Sequence, residues 1–186
     1  MITVPSNLQD AKQLLTQEGF SGDGLWYHGT SSGLLDSINA QGLKRSGDKA
    51  IKQAAKKTMA TIGNSYTETT EPVFLTQSKE LAYYWAQEAV KQRSVRFDGH
   101  ERPVVLSVAL PKEEQSNVKP DVGAASMYLI EGNDYLSFVS DLYQSKGLVL
   151  DVLGPSAPNR MDYLNKLGMA YIDKDIAAEY IEELSS

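Results

Sequence analysis

A histidine followed by a glycine and three hydroxyl residues, His28-Gly29-Thr30-Ser31-Ser32, is the densest concentration of usable chemistry in the chain. An imidazole can give or take a hydrogen bond at a ligand hydroxyl near neutral pH. The glycine beside it has no Cβ to hold a ligand off the backbone N–H and C=O. Thr30, Ser31 and Ser32 add hydroxyls and helix-capping oxygens in the same small space. A second concentration is cationic. Lys44, Arg45, Lys49, Lys52, Lys56 and Lys57 are offset between them by one acid, Asp48. Such a run reads either as a solvated face or as a grip for a pyrophosphate or a charged target. Arg45, close after the His28 segment, is the expected phosphate ligand, because a guanidinium grips a phosphate with two bonds.

Composition limits what those groups can do. With 186 residues and 41% hydrophobic content, the chain is expected to fold as one domain over 1–186. Eighteen basic against 24 acidic residues leave a net charge of -6, which argues against general attraction to nucleic acid or an anionic membrane. The absence of cysteine excludes disulfides and thiol catalysis, and two histidines are too few for a histidine metal cluster, so no metal is expected. Met1 to Pro5 do not resemble a signal peptide, and no apolar run reaches membrane-spanning length. A soluble, cytoplasmic chain is the expectation.

The elements that must position these residues follow from periodicity. Leu25 to Tyr27 read as a short strand entered from Gly22-Asp23-Gly24, with His28 at its end. Ser6 to Gln9 match a capping box, and Leu8, Ala11, Leu14 and Leu15 share a helical face that Gly19 should end. Leu34, Leu35 and Ile38 predict a helix from Ser31 or Ser32 to Gly42. Thr58 to Glu71 have no period and read as an exposed loop over the cleft. Over 78–93, Leu81, Ala82, Trp85, Ala86, Ala89 and Val90 form one apolar stripe. Trp85 falls in the middle of that stripe, as a core residue. Tyr83 and Tyr84 fall on its flanks, where one could border a cleft. Pro103 to Leu110 read as a central strand, and His100 before it as an exposed loop residue. Met127 to Ile130 read as a strand ending at Glu131, followed by a helix through Leu136, Val139 and Leu142 to Gly147. Leu148 to Leu153 are apolar and Gly154-Pro155 breaks the chain; a short helix over 158–166, closed by Gly168, and strands at Met169 to Ile172 and Asp175-Ile176 complete the reading.

Tyr27-His28-Gly29-Thr30 at the end of a strand resembles the first motif of the ADP-ribosyltransferase superfamily. The segment Val73-Phe74-Leu75-Thr76-Gln77-Ser78, running into the helix that holds Tyr83, Tyr84 and Trp85, is similar to its second motif. The resemblance covers roughly Leu25 to Val90. It implies an α+β fold, a split β-sandwich of two small sheets around an NAD cleft, flanked by helices. It implies that His28 holds a ribose hydroxyl, that Gly29 holds the carboxamide, and that Thr30, Arg45, Phe74, Tyr83 and Tyr84 also bind NAD. Family members carry a catalytic glutamate on a later strand; Glu131 is the expected one, with Glu114 and Asp121 as alternatives. No Glu-x-Glu pair occurs, which places the chain nearer the His-Tyr-Glu branch, although Phe74 stands where that branch has its strand tyrosine.

The activity so implied is mono-ADP-ribosyl transfer, of the toxin or effector kind, from NAD as co-substrate to a protein or nucleic-acid acceptor. Nicotinamide departs neutral from a cationic pyridinium, so the bond breaks through an oxocarbenium-like sugar without a general acid. A non-catalytic module binding NAD or ADP-ribose, or an NAD glycohydrolase of the same fold, is the alternative. An RNA 2'-phosphotransferase shares the fold, but the net acidity argues against it.

Overall fold

The computed structural model describes residues 2–61, 63, 70–151 and 159–184. Most of the Thr-rich stretch after Thr61, and the Gly154-Pro155 break, lie outside the described residues. In chain order the described strands are β1 (Leu15–Thr16), β2 (Gly19–Phe20), β3 (Trp26–Ser31), β4 (Val73–Leu75), β5 (Pro103–Val108), β6 (Val118–Pro120), β7 (Ala170–Ile172) and β8 (Ile181–Glu183). The helices are α1 (Ala11–Leu14), α2 (Leu35–Gln41), α3 (Lys49–Thr61), α4 (Lys79–Ser94), α5 (Val122–Glu131), α6 (Asp134–Ser145) and α7 (Met161–Leu167). The class is α+β, with helices around three small antiparallel sheets.

One sheet has the order β3-β5-β8, and β5 is central, as its near-continuous apolar sequence requires. The second has the order β4-β7-β6, and β1 with β2 makes a two-stranded hairpin. Among the described residues, the two larger sheets are joined by one isolated bridge. Tyr27 N–H donates to Thr76 O at 2.8 Å, and Thr76 N–H donates back to Tyr27 O at 3.0 Å. Buried Val73, Leu75, Val104, Leu106 and Ile172 pack between the sheets beside this seam.

Helix α4 lies on β3 and β5, and its sequence dictates how closely. Leu81, Ala82 and Ala86 are fully buried. Opposite them is Gly29, where an added Cβ would overlap the Ala82 carbonyl oxygen and lie 2.6 Å from Ala86 N. The glycine is therefore demanded by backbone packing, whatever it also does for a ligand. Gly29→Ala is expected to lower stability by about 1–3 kcal/mol, the usual range for overpacking. A fall in the urea midpoint would show it, and an unchanged midpoint would refute the packing account.

The start of α4 is sealed from outside the helix. Ser78 caps it, and the Asp10 carboxylate accepts from Ser78 Oγ at 2.7 Å, Lys79 N at 2.8 Å and Glu80 N at 3.3 Å. Glu80 in turn accepts from Asp10 N at 3.1 Å and Ala11 N at 2.6 Å, so each carboxylate satisfies the other helix's unpaired N–H groups. At the far end of α4, Arg93 bonds Glu101 through two nitrogens at 2.6 and 2.9 Å, and also binds Asp48. Asp48 also accepts from Ala50 N and Ile51 N, so this ion pair docks the start of α3 on the body.

Five expectations are corrected. The loop expected from Thr58 starts later, because α3 runs on through Thr61. The strand continues to Ser31, which puts His28 in its middle; Ser31 then accepts from Gly33 N and starts the turn into α2. Residues 6–8 form only a 3-10 turn and α1 only one turn, because Asp10 is committed to α4 and Leu15 enters the hairpin. Met127 to Ile130 are helical: Asp121 caps α5 through Ala124 N, and Gly132, at φ +72°, ends it. A four-residue apolar run cannot by itself tell a strand from part of a helix. Asp175-Ile176 contribute only an isolated bridge, Ile176 to Leu43.

Candidate functional site

His28 projects from β3 across the seam. Its Nδ1 lies 2.8 Å from Phe74 O. A carbonyl can only accept, so Nδ1 carries the proton and Nε2 is left as an acceptor that no described residue uses. Burial pushes the His28 pKa below its ordinary value, and the Phe74 hydrogen bond opposes this only in part. The imidazole is neutral at pH 7, in one tautomer fixed by the backbone of the other sheet.

A cavity lies on either side of this histidine, and both are walled by His28, Gly29 and Phe74. The first, about 200 Å³, is mainly apolar and is completed by Trp85, Tyr128, Met169 and Asp121. Trp85 and Tyr128 stack at 6.1 Å with 19° between their planes, and Tyr135 backs Trp85 at 4.6 Å. Phe74, 46% exposed, adds another ring. Such walls fit a flat aromatic group. Thr76 Oγ1, beside the same wall, has no hydrogen-bond partner among the described residues.

The second cavity, about 490 Å³, is also mainly apolar but carries charged side chains in its wall. Thr30, Lys44, Lys49, Gln92 and Arg93 line it, with Asp48 and Glu71. A third cavity, about 440 Å³, lies at the β1-β2 hairpin beside Gly22 and Met161, and shares no wall with the other two.

Asp121 is the carboxylate that lines the first cavity together with His28. One of its oxygens accepts from Ala124 N at 3.1 Å, which fixes the group at the start of α5. Burial raises its pKa above 3.8, and the Ala124 N–H offsets this in part. The result is a carboxylate poised to take a proton more readily than a solvated one.

Of the residues expected from sequence, His28, Gly29, Thr30 and Phe74 come together at these cavities. Arg45 does not line either of them. Its guanidinium pairs with Asp173 at 3.2 Å on the surface, and its backbone N–H binds Asp175. Glu131 ends a helix instead of a strand, is exposed, and lines neither cavity. Glu114 is held by Lys174 and Asn117.

The aromatic assignment on α4 is reversed. Tyr83 is buried against Val4, Leu8 and Val105, and Tyr84 is buried in the cluster of Tyr135 and Leu81. Trp85, half-buried, reaches the cavity. Trp85 packs on the core cluster through Tyr135 of α6 and Tyr128 of α5, as its central place in the stripe predicts, and its remaining surface lines the cavity. If this cavity takes the nicotinamide expected from sequence, Trp85→Leu should weaken NAD binding about fivefold or more, as loss of a stacking partner does. Titration calorimetry would measure it, with Tyr83→Phe as the variant that should bind normally.

No family model, curated protein or solved structure matches this chain. The geometry is therefore what bears on function. Sequence reading passed over Tyr128, and ranked Asp121 below Glu131. The usable signal was Asp121 ahead of Val122 to Ile130, a capping residue before an apolar run of helical length. Tyr128 would then have fallen on the same helix, two turns from the cap.

Proposed function

We propose that this chain is a mono-ADP-ribosyltransferase of the toxin or effector kind, which cleaves NAD and passes ADP-ribose to a macromolecular acceptor. On this reading the two three-stranded sheets are the halves of an ADP-ribosyltransferase-like split sandwich. The observation that carries it is His28, held across the seam by Phe74 O with a cavity on each side.

Nicotinamide occupies the cavity of Trp85, Tyr128 and Phe74, and His28 Nε2 accepts from a ribose hydroxyl. The phosphates and adenosine extend into the larger cavity. The C1'–N bond breaks with its electron pair passing to the pyridine nitrogen, so nicotinamide leaves neutral. Positive charge develops on the ribose, where the Asp121 carboxylate stabilises it. The acceptor then forms the new bond at C1', and its proton passes to Asp121. Aspartate is one methylene shorter than the glutamate of the resembled family, but a helix start carries it into the cleft.

Nicotinamide release from NAD, measured with and without cell lysate as a source of acceptors, tests this. Release that requires lysate supports a transferase. Release independent of lysate would make the chain a glycohydrolase, and NAD binding without release would make it a binding module.

A further inference from the structure

The third cavity, beside the β1-β2 hairpin, has walls of one electrical character. Glu18, Phe20, Trp26, Gln77, Gln115 and Asn165 are among the residues that form it, and among the described residues no lysine or arginine lines it. Glu18 is the single charged residue in that wall, and its carboxylate has no partner among the described residues. The surrounding sequence has the same bias. Between Lys12 and Lys44 the chain carries Glu18, Asp23 and Asp36 and no lysine or arginine.

The walls are held in place without drawing on every polar group. Trp26 Nε1–H donates to Gln115 Oε1 at 2.9 Å, and Gln115 Nε2 donates to Gly24 O at 2.9 Å and to Leu110 O at 3.0 Å. Ser21 Oγ donates to Leu14 O and Thr16 Oγ1 to Gly19 O, which commits both hydroxyls to the hairpin. Left without a partner among the described residues are the Glu18 carboxylate, the Asn165 side-chain amide and Gln77 Oε1.

Gln77 is 6% exposed, yet the fold makes little use of its amide. Nε2 reaches Leu164 O at 3.4 Å, a carbonyl that already accepts from Gly168 N at 2.8 Å, and Oε1 has no partner. A buried amide in that state is a cost to the fold. Its stem stands in the cavity wall beside Gly22, where an added Cβ would lie 3.1 Å from Gln77 Cγ. So weak a tether leaves the amide able to turn toward an occupant that offers donors.

That occupant must bring hydrogen-bond donors and positive charge on a body that packs against Trp26 and Phe20. A guanidinium has donors along its edges, no acceptor, and a flat face that stacks on aromatic rings. An ammonium is a compact, strongly hydrated point charge, which serves one acceptor well and separated ones poorly. A cavity of about 440 Å³ takes a guanidinium together with its stem. The position also matters. Trp26 precedes Tyr27 and Gln77 follows Thr76, so the Tyr27–Thr76 bridge stands between this cavity and the first. Trp26 and His28 share a face of β3, about 7 Å apart along the strand. A group seated here is held near the His28 cleft without entering it.

We infer that the third cavity is a binding site for a guanidinium group, held by Glu18, Gln77 and Asn165 against Trp26. The site does not depend on the transferase reading given above.

The chain has two tryptophans, Trp26 in this cavity and Trp85 in the first, so nitrogen-labelled protein reports each cavity through its own indole N–H signal. Trp26→Phe assigns the pair. Titration with arginine amide should shift the Trp26 signal and leave that of Trp85 in place; citrulline amide, the neutral analogue, should shift neither, and lysine amide should bind more weakly. Glu18→Gln should weaken arginine amide at least about fivefold. Gln77→Met should weaken it as much while the thermal midpoint holds or rises, because Leu164 O keeps its bond from Gly168 N. Tighter binding of a short peptide with one central arginine would assign the group to a partner polypeptide, and equal or weaker binding would assign it to a free guanidino compound. A Trp26 signal that arginine amide does not move overturns the site, as does equal binding of citrulline amide. Equal binding of lysine amide overturns the choice of guanidinium, and wild-type affinity in Glu18→Gln overturns the part given to the carboxylate. A lower midpoint with unchanged affinity in Gln77→Met would return that amide to the fold.

Discussion

On the proposed transferase reading, His28→Ala is expected to lower NAD turnover on the order of a thousandfold while the protein stays folded. The loss follows from geometry: Nε2 is the one ring atom left to receive a ribose hydroxyl, because Nδ1–H is given to Phe74 O. The stability cost is that of one hydrogen bond across the seam, about 1 kcal/mol. His28→Asn separates the two roles. Its amide nitrogen can replace Nδ1 at Phe74 O, but nothing replaces Nε2, so this variant should match wild type in thermal midpoint and alanine in turnover. An asparagine variant that kept wild-type turnover would remove the ring from the chemistry. The imidazole also gives a pH signature. Its folded pKa lies below 6.5, so the stability linked to the neutral ring is in place above that value and is lost as pH falls through the folded pKa.

The second large effect is expected at Asp121. Asp121→Asn should reduce transfer about a hundredfold or more, with NAD affinity changed far less. Asparagine is as good a helix cap as aspartate, so the bond from Ala124 N survives and only the charge is removed. Stability should move the other way. Burial raises the folded pKa of this carboxyl above its unfolded value, so its contribution to stability is fully present below the unfolded pKa and is lost as pH rises through the folded pKa. At pH 7 the charged form is therefore a liability to the fold, and the neutral amide should raise the thermal midpoint. Where Asp121 must be ionised, the acid limb of the turnover profile should lie above 3.8 and vanish in the variant. Glu131→Ala, at the exposed end of α5, is expected to leave transfer intact. Loss of transfer in Glu131→Ala with a silent Asp121→Asn would be the reverse of this and would return the role to the glutamate.

Local signals were legible where one element decided them. The apolar run of β5, the stripe and Ser78 cap of α4, and the glycine stops of α2 and α7 could all be read from neighbouring residues. His28 and Gly29 were legible from the strand and glycine that carry them, whereas Phe74, on a strand of the other sheet, was legible only through the resemblance of Val73 to Ser78 to a family motif. What escaped depended on tertiary partners. Trp85 does pack on the core, and the stripe does not reveal that part of its ring also lines a cavity. Arg45 looked free because Asp173 and Asp175 are distant in sequence. Glu131 looked like a strand end because a short apolar run carries no period of its own, and one wrong element moved the carboxylate by ten positions.

The mutual sealing of α1 and α4 reaches beyond either helix. Asp10 completes the start of the helix that carries Trp85, and Glu80 completes the start of α1. Neither acid can be exchanged alone without stranding buried N–H groups at the opposite helix, so each is selected through the other. In descendants of this chain the two positions should drift as a pair, and a lineage that sheds its first helix must find a new lid for α4 before it can keep the aromatic wall.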